Sequence, residues 1–203
     1  MATSFHNVDF YFDYGSPNSY LAYRRLPAIV ERTGATVEYI PIALGAVFLA
    51  TQNHSPAAVS AKRKNSSFDL RRFSNKYEIE FNENPFFPIN SLQLMRGGVA
   101  ALEVGVFERY SEAIWRAMWV GMKNLGDPQV FRSVISDVDI DCDGLIALAS
   151  AYTVKEKLRT LTDAAVHRGV FGAPTFFVKD EMFFGQDRLD FVEDALRGRT
   201  YVK

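Results

Sequence analysis

Strand-forming runs sit only at the two ends of this sequence, and the long stretch between them has helical spacing, so one sheet has to be assembled from both ends of the chain. At the front, Val8 to Phe12 alternates and is rich in β-formers. It stops at Asp13-Tyr14-Gly15, and Ser16-Pro17 has the form of a helix start, a capping residue followed by proline at the first helical position. From Ser19 to Thr33, Tyr20, Tyr23, Leu26, Ile29 and Val30 share one face, and Gly34 closes the helix. Thr36 to Ile42 reads as a second strand, so residues 1–45 form a βαβ unit. At the back, Thr175 to Val178 and Met182 to Phe184 read as strands around a turn, with a last helix from about Asp187 to Leu196. Residues 166–203 are thus ββα.

Residues 46–165 read as an all-helical insertion. Val99, Leu102, Val106, Tyr110, Ile114 and Met118 recur at helical spacing from Gly98 to Trp119. Gly126-Asp127-Pro128 opens a second helix, Asp143-Gly144 a third that runs to Tyr152, and Lys155 to Val166 is a fourth. A βαβ half and a ββα half around a helical block is the layout of an α/β, thioredoxin-like domain. In such folds a ligand sits where the first strand ends and the first helix begins, because unpaired amides and the helix dipole there favour an anion.

Composition narrows the function. With 203 residues, 48% of them hydrophobic, the chain can bury a sizeable core without a staple. One cysteine, Cys142, excludes an intrachain disulfide, a CxxC pair and a cysteine zinc cluster. Net charge is −1, which argues against non-specific nucleic-acid binding. No apolar run is long enough to span a membrane. The N-terminus lacks a charged n-region and an apolar h-region and reads as a mature cytosolic start. His6, His54 and His167 have no metal spacing. Asp139-Ile140-Asp141-Cys142-Asp143-Gly144 resembles the opening of a calcium loop, but the twelfth position is Ser150 where a bidentate Glu is needed, so no metal is expected.

Four segments are left as candidates. Ser16-Pro17-Asn18-Ser19 occupies the CxxC position of a thioredoxin-like fold. Ser16 is either an ordinary N-cap or a hydroxyl that donates to an incoming thiolate. Ala173-Pro174 directly precedes a strand. Such a proline is either plain structure or a cis-proline that exposes the backbone of Ala173 to a bound peptide. Asp187, after Phe184-Gly185-Gln186, is either a helix cap or a partner for an ammonium group. Lys62, Arg63, Lys64, Arg71, Arg72 and Lys76 stand against Asp69 alone, either as a solvated helix face or as an attractor for a carboxylate.

Four motifs in consistent order resemble the 2-hydroxychromene-2-carboxylate isomerase family, which belongs with the kappa-class glutathione transferases in the DsbA-like branch of the thioredoxin fold. They are the FDxxSPxSY run at Phe12 to Tyr20, the run at Pro41 to Asn53, GVFGAPTFFV, and FGQDRLDFVEDAL. The resemblance implies glutathione as cofactor, with Ser16 (followed by Pro17 and Asn18) at its sulfur and Ala173-Pro174 at its cysteinyl backbone. Gln186 and Asp187 would hold the γ-glutamyl head, and Asn53 and Lys62 the glycyl end and the substrate. Pro88-Ile89-Asn90-Ser91 resembles the segment lining the aromatic pocket, which places Asn90 at the substrate. Gln52-Asn53-His54-Ser55-Pro56 departs from the family's G-N-x-P-P, and a Tyr common after the Lys is absent.

The implied reaction takes a small aromatic keto acid, 2-hydroxychromene-2-carboxylate, to trans-o-hydroxybenzylidenepyruvate. Its alternatives are a kappa-like glutathione transferase or a non-catalytic thiol or peptide binder. A cytoplasmic homodimer is expected, from the family and from the aromatics around Tyr110, Trp115 and Trp119.

Overall fold

A computed structural model describes residues 7–201. His6 and the rest of residues 1–6 lie outside the described residues, as do residues 202–203. Four strands, β1 (Asn7–Phe12), β2 (Thr36–Pro41), β3 (Thr175–Val178) and β4 (Glu181–Phe184), form one sheet in the order β2-β1-β3-β4. β1 runs parallel to β2 and antiparallel to β3, with Phe10 opposite Phe176, and β3 pairs antiparallel with β4. The two ends of the chain therefore meet along the β1–β3 ladder.

Helix α1 (Pro17–Thr33) connects β1 to β2 and follows the local signals closely. Ser16 caps it, Pro17 occupies its first position, and Gly34 ends it at φ 67°, a left-handed conformation that glycine adopts without steric cost. Alternation along β1 sorts its side chains to two faces. Val8, Phe10 and Phe12 join Phe176 and Val178 in the larger core, beside α1 and α9 (Leu189–Leu196). Tyr11 and Phe177 face the other way, onto Ile42, Val47, Ala165 and Val170.

The helical middle comprises α2 (Leu44–Thr51), α3 (Ser60–Lys76), α4 (Leu92–Glu103), α5 (Phe107–Trp119), α6 (Pro128–Ser136), α7 (Cys142–Ser150) and α8 (Tyr152–His167). The spaced row from Gly98 to Trp119 is two helices rather than one. The chain breaks at 104–106, where Gly105 has φ 71°, and Leu102 ends up 37% exposed while Tyr110, Ile114 and Met118 are buried. Residues 143–152 likewise differ from expectation. Asp141, not Asp143, caps α7, and Ala151 separates it from α8, which begins at Tyr152. The boundaries 45/46 and 165/166 fall inside α2 and α8. Both helices pack on the sheet, and the Ala43 amide donates to Thr162 Oγ1 at 3.0 Å.

Tyr110, Trp115 and Trp119 are at most 2% exposed. They fill the core against Tyr14 and Phe87 and offer no surface to a second subunit, so a dimer has to use other residues. The acids of the calcium-like run are occupied: Asp139 pairs with Arg109, Asp143 pairs with Arg132, and Asp141 accepts the Gly144 amide. Among the described residues no helix is long and apolar enough to cross a membrane, and no group of three or more His, Cys, Asp or Glu side chains could hold a metal ion.

Candidate active site

The end of β1 delivers Ser16 to the start of α1, and the β1–β3 ladder brings the loop before β3 opposite it. Ser16 Oγ accepts the Ser19 amide at 3.2 Å, an N-cap bond, and donates to the Ala173 carbonyl at 3.0 Å. The two residues are 157 apart in sequence. The Ala173–Pro174 bond is cis, as is Phe87–Pro88, which the sequence did not suggest. Pro174 passes its carbonyl to the Gly185 amide at 3.0 Å, whereas the Ala173 amide has no partner among the described residues. Ser16 thus caps the helix and, with the same hydroxyl, faces Ala173.

Asn53, past the end of α2, donates through Nδ2 to the Phe171 carbonyl at 3.0 Å and accepts the His54 amide at 2.8 Å. It therefore buttresses the loop that presents Ala173.

Around this junction opens a cavity of about 1150 Å³. Asp13, Ser16, Pro17, Asn18 and Ala173 line it at the end of the sheet, Phe48, Phe81, Phe87 and Trp119 give it aromatic walls, and Lys62, Arg63 and Lys64 reach it from α3. Farther along α3, Arg71 pairs with Glu83 at 3.2 Å and Arg72 with Asp69 at 2.6 Å. Lys62, Arg63 and Lys64 form no ion pair among the described residues. The basic run is thus split: Arg71 and Arg72 are paired with acids and Lys76 lies over the Tyr77 ring, while the three cations at the cavity form no ion pair among the described residues. Unpaired cations beside an apolar wall suit a ligand that carries a carboxylate on an aromatic body.

Asn90, Gln186 and Asp187 do not line the cavity. Asn90 Oδ1 accepts the Leu92 amide at 3.0 Å, while its neighbours Ile89 and Ser91 do reach the cavity. Gln186 is 2% exposed, its carbonyl accepts from Arg25 at 3.2 Å, and its side-chain Oε1 is buried without a partner. Asp187 makes no cap bond and pairs with Arg188.

Two groups escaped the sequence reading. Trp119 donates its indole N–H to the Tyr14 carbonyl at 3.0 Å and forms part of the wall. Asp13 is almost fully buried beside Ser16, and burial pushes its carboxyl above the ordinary carboxylate range against the pull of Ser91, Leu44 and Gly15. An acid at the boundary of an apolar strand and a helix start was the available signal for Asp13.

The DSBA-like thioredoxin domain family matches residues 7–197. A 2-hydroxychromene-2-carboxylate isomerase of Sphingobium xenophagum is 34% identical over 191 residues, covering 93% of this chain and 97% of the relative. The chain belongs to the 2-hydroxychromene-2-carboxylate isomerase family. That is a family of isomerase enzymes on a DsbA-like thioredoxin fold. A solved 2-hydroxychromene-2-carboxylate isomerase structure superposes with a TM-score of 0.84 at 30% identity, over 94% of each chain. Glutathione S-transferase kappa 1 of Caenorhabditis elegans is 28% identical, covering 94% of this chain and 90% of its own. The resemblance drawn from the four motifs is borne out at the level of family and fold.

Proposed function

We propose that this enzyme catalyses the glutathione-dependent isomerisation of 2-hydroxychromene-2-carboxylate to trans-o-hydroxybenzylidenepyruvate, or of a similar aromatic unsaturated keto acid. The observation that carries the reading is one juxtaposition. A helix-capping hydroxyl faces the backbone before a cis-proline, at the floor of an aromatic cavity with unpaired cations on its wall. Bound glutathione would supply a thiolate able to add reversibly to the alkene, so that a double bond becomes a rotatable single bond before the sulfur leaves again.

The residues present fit such a group. The Ala173 amide is unpaired among the described residues, which suits an acceptor on a cysteinyl backbone. Ser16 has one hydroxyl proton, now given to the Ala173 carbonyl. Turning that proton toward a sulfur frees the carbonyl to accept a ligand amide, so one rotation prepares both contacts. Pro17 and Asn18 extend the same surface along the first turn of α1, whose positive end favours the thiolate over the thiol. Asn53 holds the loop, and Lys62 offers its ammonium to a glycyl or substrate carboxylate. The γ-glutamyl head is assigned to Gln186 and Asp187, just past Phe184 of the cavity wall; Asp187 would exchange Arg188 for the ligand's ammonium. Asn90 is assigned to the substrate, between the lining residues Ile89 and Ser91.

The similarity to a kappa transferase favours a second reading, in which the sulfur stays on an electrophile. Incubating the enzyme with the chromene carboxylate, with and without glutathione, decides between them. Isomerase activity requires glutathione and returns it unchanged. Stoichiometric loss of glutathione would show a transferase, and equal turnover without it would refute the cofactor. Localisation in the cytoplasm is proposed from the single cysteine, which suits a reducing compartment. A homodimer is proposed from the family, and a monomer in sedimentation at micromolar concentration would contradict it.

A further inference from the structure

The loop that ends β1 carries a carboxylate with no part in the contacts just assigned. Asp13 is 1% exposed and yet lines the cavity. Its partners come from three different elements. Oδ1 accepts the Gly15 amide at 2.8 Å, Oδ2 accepts the Leu44 amide at 2.9 Å, and the Ser91 hydroxyl, just before α4, stands beside it and favours its charged form. Its own carbonyl accepts the Ser16 amide at 2.9 Å. The packing is close: a Cβ on Gly15 would stand 3.2 Å from Asp13 Oδ1 and from Ser91 Cβ.

The Gly15 and Leu44 amides can only donate, so each needs an acceptor on the carboxyl group, which the ionised form supplies on both oxygens; a proton added to it would have only the Ser91 hydroxyl to turn to. Burial works against that charge and raises the carboxyl above its ordinary value, so the arrangement is held in balance. The groups acting on it are Ser91, Leu44 and Gly15, with the Tyr14 phenol as its chain neighbour. The charged or titratable side chains elsewhere on the cavity are Lys62, Arg63, Lys64, Glu83 and His54, and none is among the causes of its shift.

We propose that Asp13 is a positioning residue, whose carboxylate locks the turn presenting Ser16 to the starts of α2 and α4 and thereby fixes where a sulfur on Ser16 meets the cavity. The last part rests on the proposed function; the lock itself does not. Deleting the lock leaves every proposed ligand contact chemically intact and moves Ser16 relative to the walls. A misplacement of that kind lowers kcat by about 10-fold or more while leaving KM for glutathione nearly unchanged.

The test has a readout in the ligand-free protein. Trp119 is bonded to the Tyr14 carbonyl and Trp115 packs 4.7 Å from the Tyr14 ring, so tryptophan fluorescence reports the turn next to Asp13. The wild type should show a one-proton fluorescence step with its midpoint above the ordinary carboxylate range. Asp13→Asn should abolish it. Ser91→Ala removes a donor that favours the ionised form and should move the midpoint higher, and Ser91→Thr, which restores a hydroxyl, should bring it back. A step that persists in Asp13→Asn, or a midpoint unmoved by Ser91→Ala, overturns the proposal. So does a folded Asp13→Asn enzyme with wild-type kcat. If Asp13→Asn does not fold, the Ser91→Ala and Ser91→Thr pair decides. Should the wild type fail to turn over the chromene carboxylate with glutathione, the functional reading fails, and the fluorescence titration still judges the lock by itself.

Discussion

Replacing Ser16 separates two tasks that the structure gives to one hydroxyl. As an acceptor it caps α1 through the Ser19 amide. As a donor it faces Ala173, where a sulfur would be received. Ser16→Ala removes both and should cost about 1 kcal/mol of stability through the lost cap, whereas Ser16→Gly should cost only a few tenths. Both variants lose the donor equally, so both should show the same catalytic defect despite different stabilities.

The size of that defect distinguishes acidity from geometry. A free thiol with a pKa of ~8.5 is only about 3% ionised at pH 7. Lowering it by an assumed ~2 units would make it roughly 75% thiolate, a gain of about 25-fold. Nucleophilicity falls with pKa at a slope of ~0.4–0.5, which takes back roughly 6- to 10-fold and leaves about 2.5- to 4-fold. A serine that acted on acidity alone would therefore be worth less than ~5-fold. Holding the sulfur in line with the alkene draws on a much larger reservoir, so we predict a loss of more than about 10-fold in kcat for both variants at neutral pH. Raising the pH should recover only a small part, and Ser16→Cys should not restore activity, because a thiol there exchanges with glutathione disulfide in the assay, leaving a mixed disulfide and releasing one glutathione. Steady-state kinetics across pH, with urea unfolding followed by circular dichroism, measures both effects. Full recovery of Ser16→Ala at high pH would refute the positioning argument and leave the serine a device for acidity only.

Lys62→Ala should raise KM for the keto acid or for glutathione while changing stability by less than about 0.5 kcal/mol, because the side chain is exposed and unpaired among the described residues. A large stability loss with unchanged kinetics would make Lys62 structural. Arg32, followed by Arg197, holds the Glu193 carboxyl down to about 2 from an ordinary 4.5. A folded-state value below the unfolded one stabilises the protein fully above pH 4.5, and that stability is lost as pH falls through 2. Glu193→Gln should therefore cost roughly 0.5–1 kcal/mol at neutral pH, with the gap to wild type closing in strong acid. An undiminished gap at low pH would point to another source. At Gly97 a Cβ would lie 2.1 Å from the buried Tyr110 hydroxyl, which donates to the Leu94 carbonyl. Gly97→Ala should destabilise by about 1–3 kcal/mol in thermal unfolding. Gly45→Ala, with open space around its Cβ within α2, should stabilise by up to about 1 kcal/mol.

Signals confined to a few neighbouring residues were legible in the sequence. The cap at Ser16, the proline at Pro17, the stop at Gly34, the helix start at Asp127-Pro128 and the alternation of β1 all act within one turn or one strand, and the structure keeps each. Alternation and helical spacing also sufficed for the βαβ and ββα halves, and hence for the fold. Where the local pattern was silent or continuous, only tertiary packing decided. α2 is apolar on nearly every side and α3 is mostly polar, so neither carries a clean stripe; their places come from α8, from α1 and from the cavity between them. The apolar spacing of α4 continues into α5, and the break at Gly105 depends on how the two helices fold back on each other.

The candidate site divides along the same line. Ser16 and Ala173 could be named from their motifs, but their bond depends on β1 and β3 pairing across the whole helical block. Tyr110, Trp115 and Trp119 were recognisable as an aromatic group, yet core and interface use the same residue types, and only their burial tells which they serve. Asp13 is the clearest case. In the sequence it is one of 24 acids, and what distinguishes it is the loss of water and the groups that converge on it from α2, from the residue before α4 and from its own turn. Capping and periodicity are set by bonds along the chain. Burial and convergence exist only where distant surfaces meet, and the chemistry of this cavity is built from the second kind.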